Sequence, residues 1–346
     1  GYRFYSTYIA TKIYSLQDFT GEMPSKEFED GVDFVPTKKG ILFGHHFTSI
    51  AGAAPIIGPC IAAFWGWGPA LIWIVFGTIF MGAVHDFGAL VVSIREKGKT
   101  IAEITGTIIN HRVKTMFLIF VMMLNWLVLA VFTMVISGLF VSVPTAVLPV
   151  NIEIIIALGI GYLLYHKKMD ALFPSIIALI LLYLFVYMGS FTPLSFESIG
   201  LDKTSQSTLW IVLLFMYSGV ASLLPVWLLL QPRDYINSHQ LLVGLALIFI
   251  GIAIAQPVVD APMLRASGEG VPGLFPLLFV TIACGAISGF HGLVASGTTS
   301  KQISNMKDSK MIGYGSMVGE GVLALASTIA AVAGISLVAS CDLPSV

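Results

Sequence analysis

Nine apolar runs of about 20 residues each fill most of this chain, and that is the length an α-helix needs to cross a bilayer. Hydrocarbon offers backbone groups no hydrogen-bonding partner, so a chain that enters it satisfies them within helices or a closed barrel. Only 11% of the 346 residues are charged, against about 25% in soluble proteins. We therefore predict an all-α, polytopic transmembrane helix bundle with spans at residues 43–66, 69–92, 112–139, 146–165, 171–190, 208–230, 240–256, 273–296 and 313–337.

The basic residues are distributed unevenly between the loops that join these spans. If residues 93–111 face the cytoplasm, all but three of the 18 Lys and Arg residues lie on that side or at the adjoining helix ends. The exceptions are Arg3, Lys203 and Arg265. Because Lys and Arg are enriched in cytoplasmic loops, we predict that the cytoplasmic segments are residues 11–42, 93–111, 166–170, 231–239 and 297–312.

The two ends of the sequence set the remaining domain boundaries. Residues 1–10, GYRFYSTYIA, begin without methionine and are expected to be the end of a truncated transmembrane helix. The transmembrane core of nine spans is expected at residues 43–337, followed by a truncated C-terminal segment at 338–346. The charge pattern gives no indication of nucleic-acid binding. The expected partners are therefore the lipid bilayer and a small molecule, and no oligomeric state is implied.

Gly and Pro residues interrupt two of the spans near their middle. The span at 43–66 is interrupted over residues 52–59, and the span at 208–230 over residues 218–225. These are the first and sixth spans of the series, which is the spacing that a five-plus-five inverted repeat of the LeuT-like kind produces. We predict two discontinuous helices, although Gly and Pro are also common in continuous membrane helices.

The backbone groups freed at such breaks predict a substrate site. The N-terminus of a half-helix presents free N–H groups and the positive end of a dipole, which favour a carboxylate. The N–H groups of Ile56, Ile57 and Gly58, just after the first break, are expected to contribute, and nearby serine hydroxyls are expected to assist. The predicted substrate-binding residues are Ser49, Gly52, Ala53, Pro55, Ile56, Gly58, Ser218, Gly219 and Ser222.

Ionisable side chains inside apolar spans are costly and mark functional sites. Counted at a rise of about 1.5 Å per residue from the basic loops, the six such residues fall in the cytoplasmic half of the membrane, below both breaks. We predict that they form a proton-coupling relay or an inner gate, because imidazole titrates near neutral pH. No cofactor is expected besides a proton or sodium as coupling ion. The six residues are His45, His46, His85, Asp86, His291 and Glu320.

Structural alternatives exist for several acidic and histidine side chains. One histidine of the His45–His46 pair is expected to cap its helix at the membrane interface. Instead of a relay role, His85 could donate a hydrogen bond to a backbone carbonyl. Glu320 could be a structural partner for a neighbouring helix. Glu153 lies near the outer end of its span and is expected to be solvated.

A metal site is the competing interpretation of the same residues. Imidazole nitrogens and a carboxylate suit zinc or another transition metal. The alternative function is therefore a membrane-embedded metal-binding protein or metalloenzyme. The hydrolase patterns H-E-x-x-H and G-x-S-x-G do not occur, so we expect a carrier and not an enzyme. The metal candidates are His45, His46, His85, Asp86 and His291.

Five stretches of this sequence resemble the carbon starvation protein A family. They are DGVDFVPTKKGILFGHHFTSIAGAAPIIGP, GAVHDFGALVVSIREKGKTIAEI, LLPVWLLLQPRDYIN, FPLLFVTIACGAISGFHGLVASGTTSKQI and IGYGSMVGEG. The resemblance extends from about Tyr2 to Glu320. It implies a secondary transporter of the bacterial inner membrane, related to the amino acid–polyamine–organocation superfamily, that takes up peptides or pyruvate during carbon starvation.

The resemblance places several of the residues singled out above at matching positions. They are the His45–His46 pair, the Gly/Pro break that follows it, Asp86 and the turn Pro232-Arg233-Asp234. Some members of the family have glutamine where this chain has His85. A relay that needs a titrating imidazole at that position is therefore disfavoured, and Asp86 becomes the stronger candidate.

Overall fold

The computed structural model describes residues 1–167, 169–265 and 273–333, and these residues are almost entirely helical. The described part of the chain has no β-strand beyond an isolated bridge between Thr37 and Ile303, which confirms the predicted all-α class. Its helices are α1 (Tyr5–Tyr8), α2 (Pro24–Glu27), α3 (Lys39–Ile50), α4 (Ala54–Ala62), α5 (Trp67–Gly77), α6 (Ala83–Arg95), α7 (Ile101–Ile108), α8 (His111–Ser142), α9 (Val147–Lys167), α10 (Leu172–Phe191), α11 (Lys203–Ala221), α12 (Leu230–Ala255), α13 (Leu274–Thr281), α14 (Ala283–Ile287), α15 (Phe290–Gly297) and α16 (Ser316–Ala333).

Six helical segments of the described chain are long and apolar enough to cross a membrane, and a bent pair, α3 with α4, makes a seventh if it is counted as one span. This pattern is that of an integral membrane protein. Nine spans were expected, so the structure differs from the sequence prediction at specific places. The six segments are Trp67–Arg95, His111–Ser142, Pro144–Lys167, Leu172–Phe191, Leu230–Ala255 and Met306–Ala333.

The predicted spans 208–230 and 240–256 are divided differently in the structure. Helix α11 ends at Ala221, and α12 begins at Leu230, so residues 231–239, predicted as a loop, are helical. Pro225 follows the end of α11 by four residues and disfavours helical geometry at Leu224, so the helix does not resume there. Pro232 lies in the first turn of α12, where its missing N–H costs nothing. The second predicted break therefore separates two helices and does not lie inside one span.

The predicted span 273–296 is also not continuous. It consists of α13, α14 and α15, which are separated at Ile282 and at Ser288–Gly289. The residues around Ser288 contain no proline, so nothing in their composition marks this break. The last predicted span, 313–337, is described as far as Ala333. The predicted C-terminal segment 338–346 lies outside the described residues.

Side-chain caps determine where two of the long helices begin. The Asn110 side chain accepts a hydrogen bond from the Val113 N–H at 2.9 Å, and α8 starts at the next residue. The Asp202 carboxylate accepts from the N–H groups of Thr204 and Ser205 at the start of α11. The Ser205 hydroxyl also donates to this carboxylate, and together these donors lower the pKa of Asp202. Such caps satisfy N–H groups that the first helical turn leaves unpaired.

The described chain forms two compact units. The first contains Gly1–Phe28, Pro36–Ile101 and the described residues from Gln240 onward. Its core is built on α6, whose buried residues pack with Ile9, Leu42 and Ile312. Gly82 lies so close to α14 that an added Cβ would be 2.4 Å from the Ala286 carbonyl oxygen. Glycine at this position therefore permits the close approach of the two helices.

The second unit contains Glu29–Val35 and Ala102–His239. Buried residues of α9, α10 and α12 form its core, among them Ala157, Leu182 and Ile236. Tyr165 stacks on Trp227 with ring centroids 3.9 Å apart, and the indole N–H of Trp227 donates to the Gly31 carbonyl at 3.0 Å. Helix α8 exposes most of its apolar side chains, as a helix does where it faces lipid.

We expect Gly82→Ala to lower the thermal stability of the protein in detergent. The new methyl group would meet backbone at 2.4 Å, and overpacking of this kind costs about 1–3 kcal/mol. The matched control is Gly138→Ala in α8, because no atom lies within 4 Å of the Cβ position there. Melting curves of the two variants test this, and equal melting temperatures would contradict the close approach of α14.

Candidate functional site

Three buried ionisable side chains form a continuous chain in the first unit. His291 Nδ1 lies 2.8 Å from Asp86 Oδ2, and His291 Nε2 lies 3.1 Å from Glu320 Oε2. The second contact is an ion-pair distance whose angle is poor for a hydrogen bond. All three side chains are 0% exposed. The structure therefore assembles three of the six predicted relay residues into one contact series.

Each of these side chains follows a local departure from regular α-helix. A π-helical turn at Thr78–Gly82 precedes Asp86, and another at Lys310–Gly315 precedes Glu320. His291 lies in the first turn of α15, directly after the break at Ser288–Gly289. π-Helical turns are rare in proteins as a whole, and those that do occur are often found at functional sites. The three side chains come from three helices and meet at one point, each shortly after an irregular turn or break.

His85 extends this chain to a more exposed position. Its Nδ1 lies 3.1 Å from Asp86 Oδ1, and its side chain is 45% exposed. Both carboxylate oxygens of Asp86 therefore face an imidazole nitrogen. A buried carboxylate is stabilised only when hydrogen bonds or opposite charges compensate for lost water. Four of the predicted relay residues thus form one series: His85, Asp86, His291 and Glu320.

The other two predicted relay residues, His45 and His46, are buried beside this series. His46 Nδ1 lies 2.8 Å from the Thr299 hydroxyl, and its Nε2 has no hydrogen-bond partner among the described residues. The His46 ring is within electrostatic range of Asp86 and His291. His45 is 2% exposed. Both histidines are interior side chains, so the expectation that one of them caps its helix at the interface is wrong.

The series accommodates two arrangements of one proton. Because Nδ1 of His291 faces a carboxylate, we assign a proton to that nitrogen. The other nitrogen then either carries a proton beside ionised Glu320 or is unprotonated beside neutral Glu320. Glu320 Oε1 is buried and has no hydrogen-bond partner within the part of the chain that the structure describes. Proton transfer between His291 and Glu320 would require these side chains to turn into hydrogen-bond geometry, and a relay role for the series stays a prediction.

The first predicted break is confirmed, but it is shorter than expected. It covers residues 51–53, and the axes of α3 and α4 differ by 45° across it. Pro55 and Pro59 lie within α4. The N–H groups of Ile56 and Ile57 both donate to the Ala53 carbonyl, at 3.1 and 3.0 Å. The prediction that these two N–H groups are free for substrate is therefore wrong, because α4 already uses them in its first turn.

Gly58, a third predicted N–H donor, serves as a packing position. An added Cβ would lie 2.4 Å from the Thr281 carbonyl oxygen. Ser49 lies in the last turn of α3, and Gly52 and Ala53 lie in the break itself. Contact of these last three residues with a substrate stays a prediction.

The predicted substrate residues of the second break lie in the second unit. Ser218 and Gly219 belong to the last turn of α11, and the Ser222 hydroxyl donates to the Gly219 carbonyl at 2.8 Å. The Ser218 carbonyl accepts from the Ser222 N–H at 3.0 Å. The described structure thus places these groups in an ordinary helix end. Their pairing with the first break stays a prediction.

The five predicted metal candidates are not gathered as one ligand set. Among the described residues, the group of three whose ligand atoms lie within 4.8 Å of one another is Cys284, His291 and Glu320. Only His291 belongs to the predicted five. Cys284 and Glu320 come close to His291 only through tertiary structure, which the sequence pattern does not show.

Cys284 and Thr299 are the two residues near the site that the sequence did not single out. Cys284 is one isolated cysteine, and such residues are commonly buried for packing alone. Thr299 belongs to a hydroxyl-rich stretch, Ser296 to Ser300, at the C-terminal end of α15 and just beyond it. The sequence feature that could have identified Thr299 as a site residue is this polar stretch beside an apolar run.

The comparisons with known proteins agree with the assignment of this chain as an integral membrane protein. The family model described as carbon starvation protein CstA matches residues 1–340. The chain therefore belongs to the CstA family, which confirms the resemblance seen in the sequence. No solved structure shows significant similarity to the chain.

Relatives from several bacteria match almost the whole chain. The peptide transporter CstA of Helicobacter pylori is 36% identical over 338 residues, which are 96% of this chain and 49% of the relative. The pyruvate/proton symporter BtsT of Escherichia coli is 37% identical over 339 residues, which are 95% of this chain and 47% of the relative. The peptide transporter CstA of Escherichia coli is 36% identical over 345 residues, which are 95% of this chain and 48% of the relative. The chain spans about half the length of these relatives.

We expect Thr299→Val to destabilise the protein by about 1–3 kcal/mol, because it leaves Nδ1 of the buried His46 ring without its partner. The control is Thr115→Val, which removes an exposed hydroxyl that only bonds back to its own helix. Thermal unfolding in detergent measures both. If the two variants melt together, the His46–Thr299 contact makes no net contribution to stability.

Proposed function

We propose that this protein is a secondary active transporter that imports small carboxylate-containing nutrients, peptides or pyruvate, across the bacterial inner membrane during carbon starvation. We further propose that transport is coupled to protons by alternating access. The observation that carries the proposal is the buried series Asp86–His291–Glu320. The names of the relatives, peptide transporter and pyruvate/proton symporter, support the same class.

The physical argument for proton coupling is the energetic cost of charged side chains in a membrane interior. Uncompensated charges in a membrane interior are expensive, so acids and imidazoles retained there usually carry an ion or a proton. In this series His291 lies between two carboxylates, and His85 continues the series to a side chain that is 45% exposed. Uptake of a proton at one end changes the electrostatic balance at every member. A change of this kind can favour one conformation of a carrier over another.

The bent helix pair supports the location of the substrate in this proposal. Irregular backbone at membrane depth is tolerated where it is buried in protein or lines a cavity. Ser49, Gly52 and Ala53 lie at the bend between α3 and α4, in the same unit as the proton series. We place the substrate at this bend. The LeuT-like repeat and the cytoplasmic position of the basic loops complete the proposal.

Transport by the full-length protein in liposomes tests the coupling. Labelled pyruvate and a labelled dipeptide are followed with and without an inward proton gradient. We expect gradient-dependent accumulation of one of them, and its loss in Asp86→Asn and Glu320→Gln, because neither amide can exchange a proton. Exchange of labelled for unlabelled substrate should persist in these variants if they fold. His111→Gln, at the exposed start of α8, is the control.

Three results would contradict this proposal in different ways. Normal accumulation by both amide variants would remove the series from the mechanism. Accumulation driven by a sodium gradient alone would replace the proton with sodium. Loss of wild-type uptake in a chelator, restored by added zinc, would favour the metal alternative at Cys284, His291 and Glu320.

A further inference from the structure

Three polar atoms at the buried end of the charged series have no hydrogen-bond partner elsewhere in the described chain. They are Nε2 of His291 and both carboxylate oxygens of Glu320. Both side chains are 0% exposed, and Nε2 and Oε2 face each other at 3.1 Å. A buried polar atom without a partner is unfavourable, and a bound ion is one of the ways in which proteins satisfy it.

The Cys284 thiol is a third group beside this pair. One ligand atom from each of Cys284, His291 and Glu320 lies within 4.8 Å of the other two. The three residues belong to α14, α15 and α16, all in the first unit. The Cys284 side chain is half-buried, and its Sγ lies 3.6 Å from the Ser288 hydroxyl at the break before α15. An imidazole, a carboxylate and a thiol are therefore gathered at one place.

The spacing of the three groups is close to what a tetrahedral metal ion requires. Zinc binds nitrogen and oxygen ligands at about 2.0–2.2 Å and sulfur at about 2.3 Å, which puts neighbouring ligand atoms about 3.3–3.6 Å apart. The distance of 3.1 Å from His291 Nε2 to Glu320 Oε2 is near this value, although the angle there is poor for a hydrogen bond. The 4.8 Å limit for the thiol exceeds it by about 1.2 Å at most. A small movement of the Cys284 side chain therefore completes the set.

The other ring nitrogen of His291 is held as it is in most metal-binding histidines. Nδ1 lies 2.8 Å from Asp86 Oδ2. A carboxylate that accepts the N–H of one ring nitrogen fixes the tautomer and the ring orientation, and it leaves the other nitrogen as the ligand. His85 contacts the second oxygen of Asp86 at 3.1 Å. Asp86 is therefore placed to position His291 and not to bind the ion itself.

The chemistry of the three ligands decides which ion fits. A thiolate is a soft ligand and imidazole suits zinc, whereas magnesium and calcium take oxygen ligands. We propose that Cys284, His291 and Glu320 bind Zn²⁺ and that Asp86 orients His291 for this purpose. The thiol gives up its proton to water when the ion binds, because the thiolate is the ligand.

The zinc site shares two atoms with the proposed proton series. A bound ion occupies His291 Nε2 and Glu320 Oε2, so neither atom can take a proton while zinc is present. Zinc is therefore expected to inhibit proton-coupled uptake, a consequence that rests on the proposed function. Binding itself does not rest on it and is measured without transport. Zinc that is required for uptake would contradict the proton proposal and leave the zinc site intact.

Metal binding to the full-length protein in nanodiscs tests the site. Metal-free protein is titrated with Co²⁺, a spectroscopic substitute for zinc, and then with Zn²⁺ in competition with a chromophoric chelator. We expect a thiolate-to-cobalt charge-transfer band that zinc removes. Cys284→Ser should abolish this band and weaken zinc binding at least about tenfold, since even a change outside the ligands costs about 10–100-fold. Cys60→Ser, at an exposed cysteine, is the matched control and should keep both.

A second variant separates positioning from coordination. Asp86→Asn should lower the zinc affinity about 10–100-fold and keep the charge-transfer band, because the thiolate still binds the ion. The proposal is overturned if wild-type protein shows no such band with cobalt, or if Cys284→Ser binds zinc as tightly as wild type. The first of these results needs wild-type protein alone, so the test stays decisive even if a variant fails to fold.

Discussion

A carboxylate buried away from water needs hydrogen-bond donors. Asp86 is fully buried, and its contact with His291 supplies one. The contact requires α6 and α15 to lie side by side, and the contact of His291 with Glu320 brings in α16. Small residues make this approach possible: a Cβ on Gly313 would lie 2.8 Å from the Phe87 Cα atom. The segment that contains α16 is 61% buried, against 6% for α8, so the charged series lies within the best-packed helices.

The sequence predicted the composition of this site better than its geometry. The cost of charge in hydrocarbon was enough to select Asp86, His291 and Glu320, and the prolines after Ala53 were enough to locate the first break. The pairing of residues that are 205 positions apart depends on tertiary structure, as does the burial of Glu153. The break before His291 was missed because Ser288 and Gly289 form it without proline.

In both units, nitrogen-containing side chains lie within electrostatic range of buried carboxylates. In the first unit, the His291 imidazole lies between the buried carboxylates of Asp86 and Glu320. In the second, the Arg233 guanidinium lies against Asp234 and also acts electrostatically on Glu153, which was expected to be solvated but is only 8% exposed. Each buried acid therefore has an imidazole or a guanidinium within electrostatic range.

The short length of α15 has a mechanical consequence. The helix has eight residues, begins after a break, and ends where Thr298 leaves helical geometry. His291 lies on the first turn of this short segment and contacts both acids. Any displacement of α15 would therefore change its distances to Asp86 and Glu320 together, so the geometry of the two contacts is set by the position of one short helix.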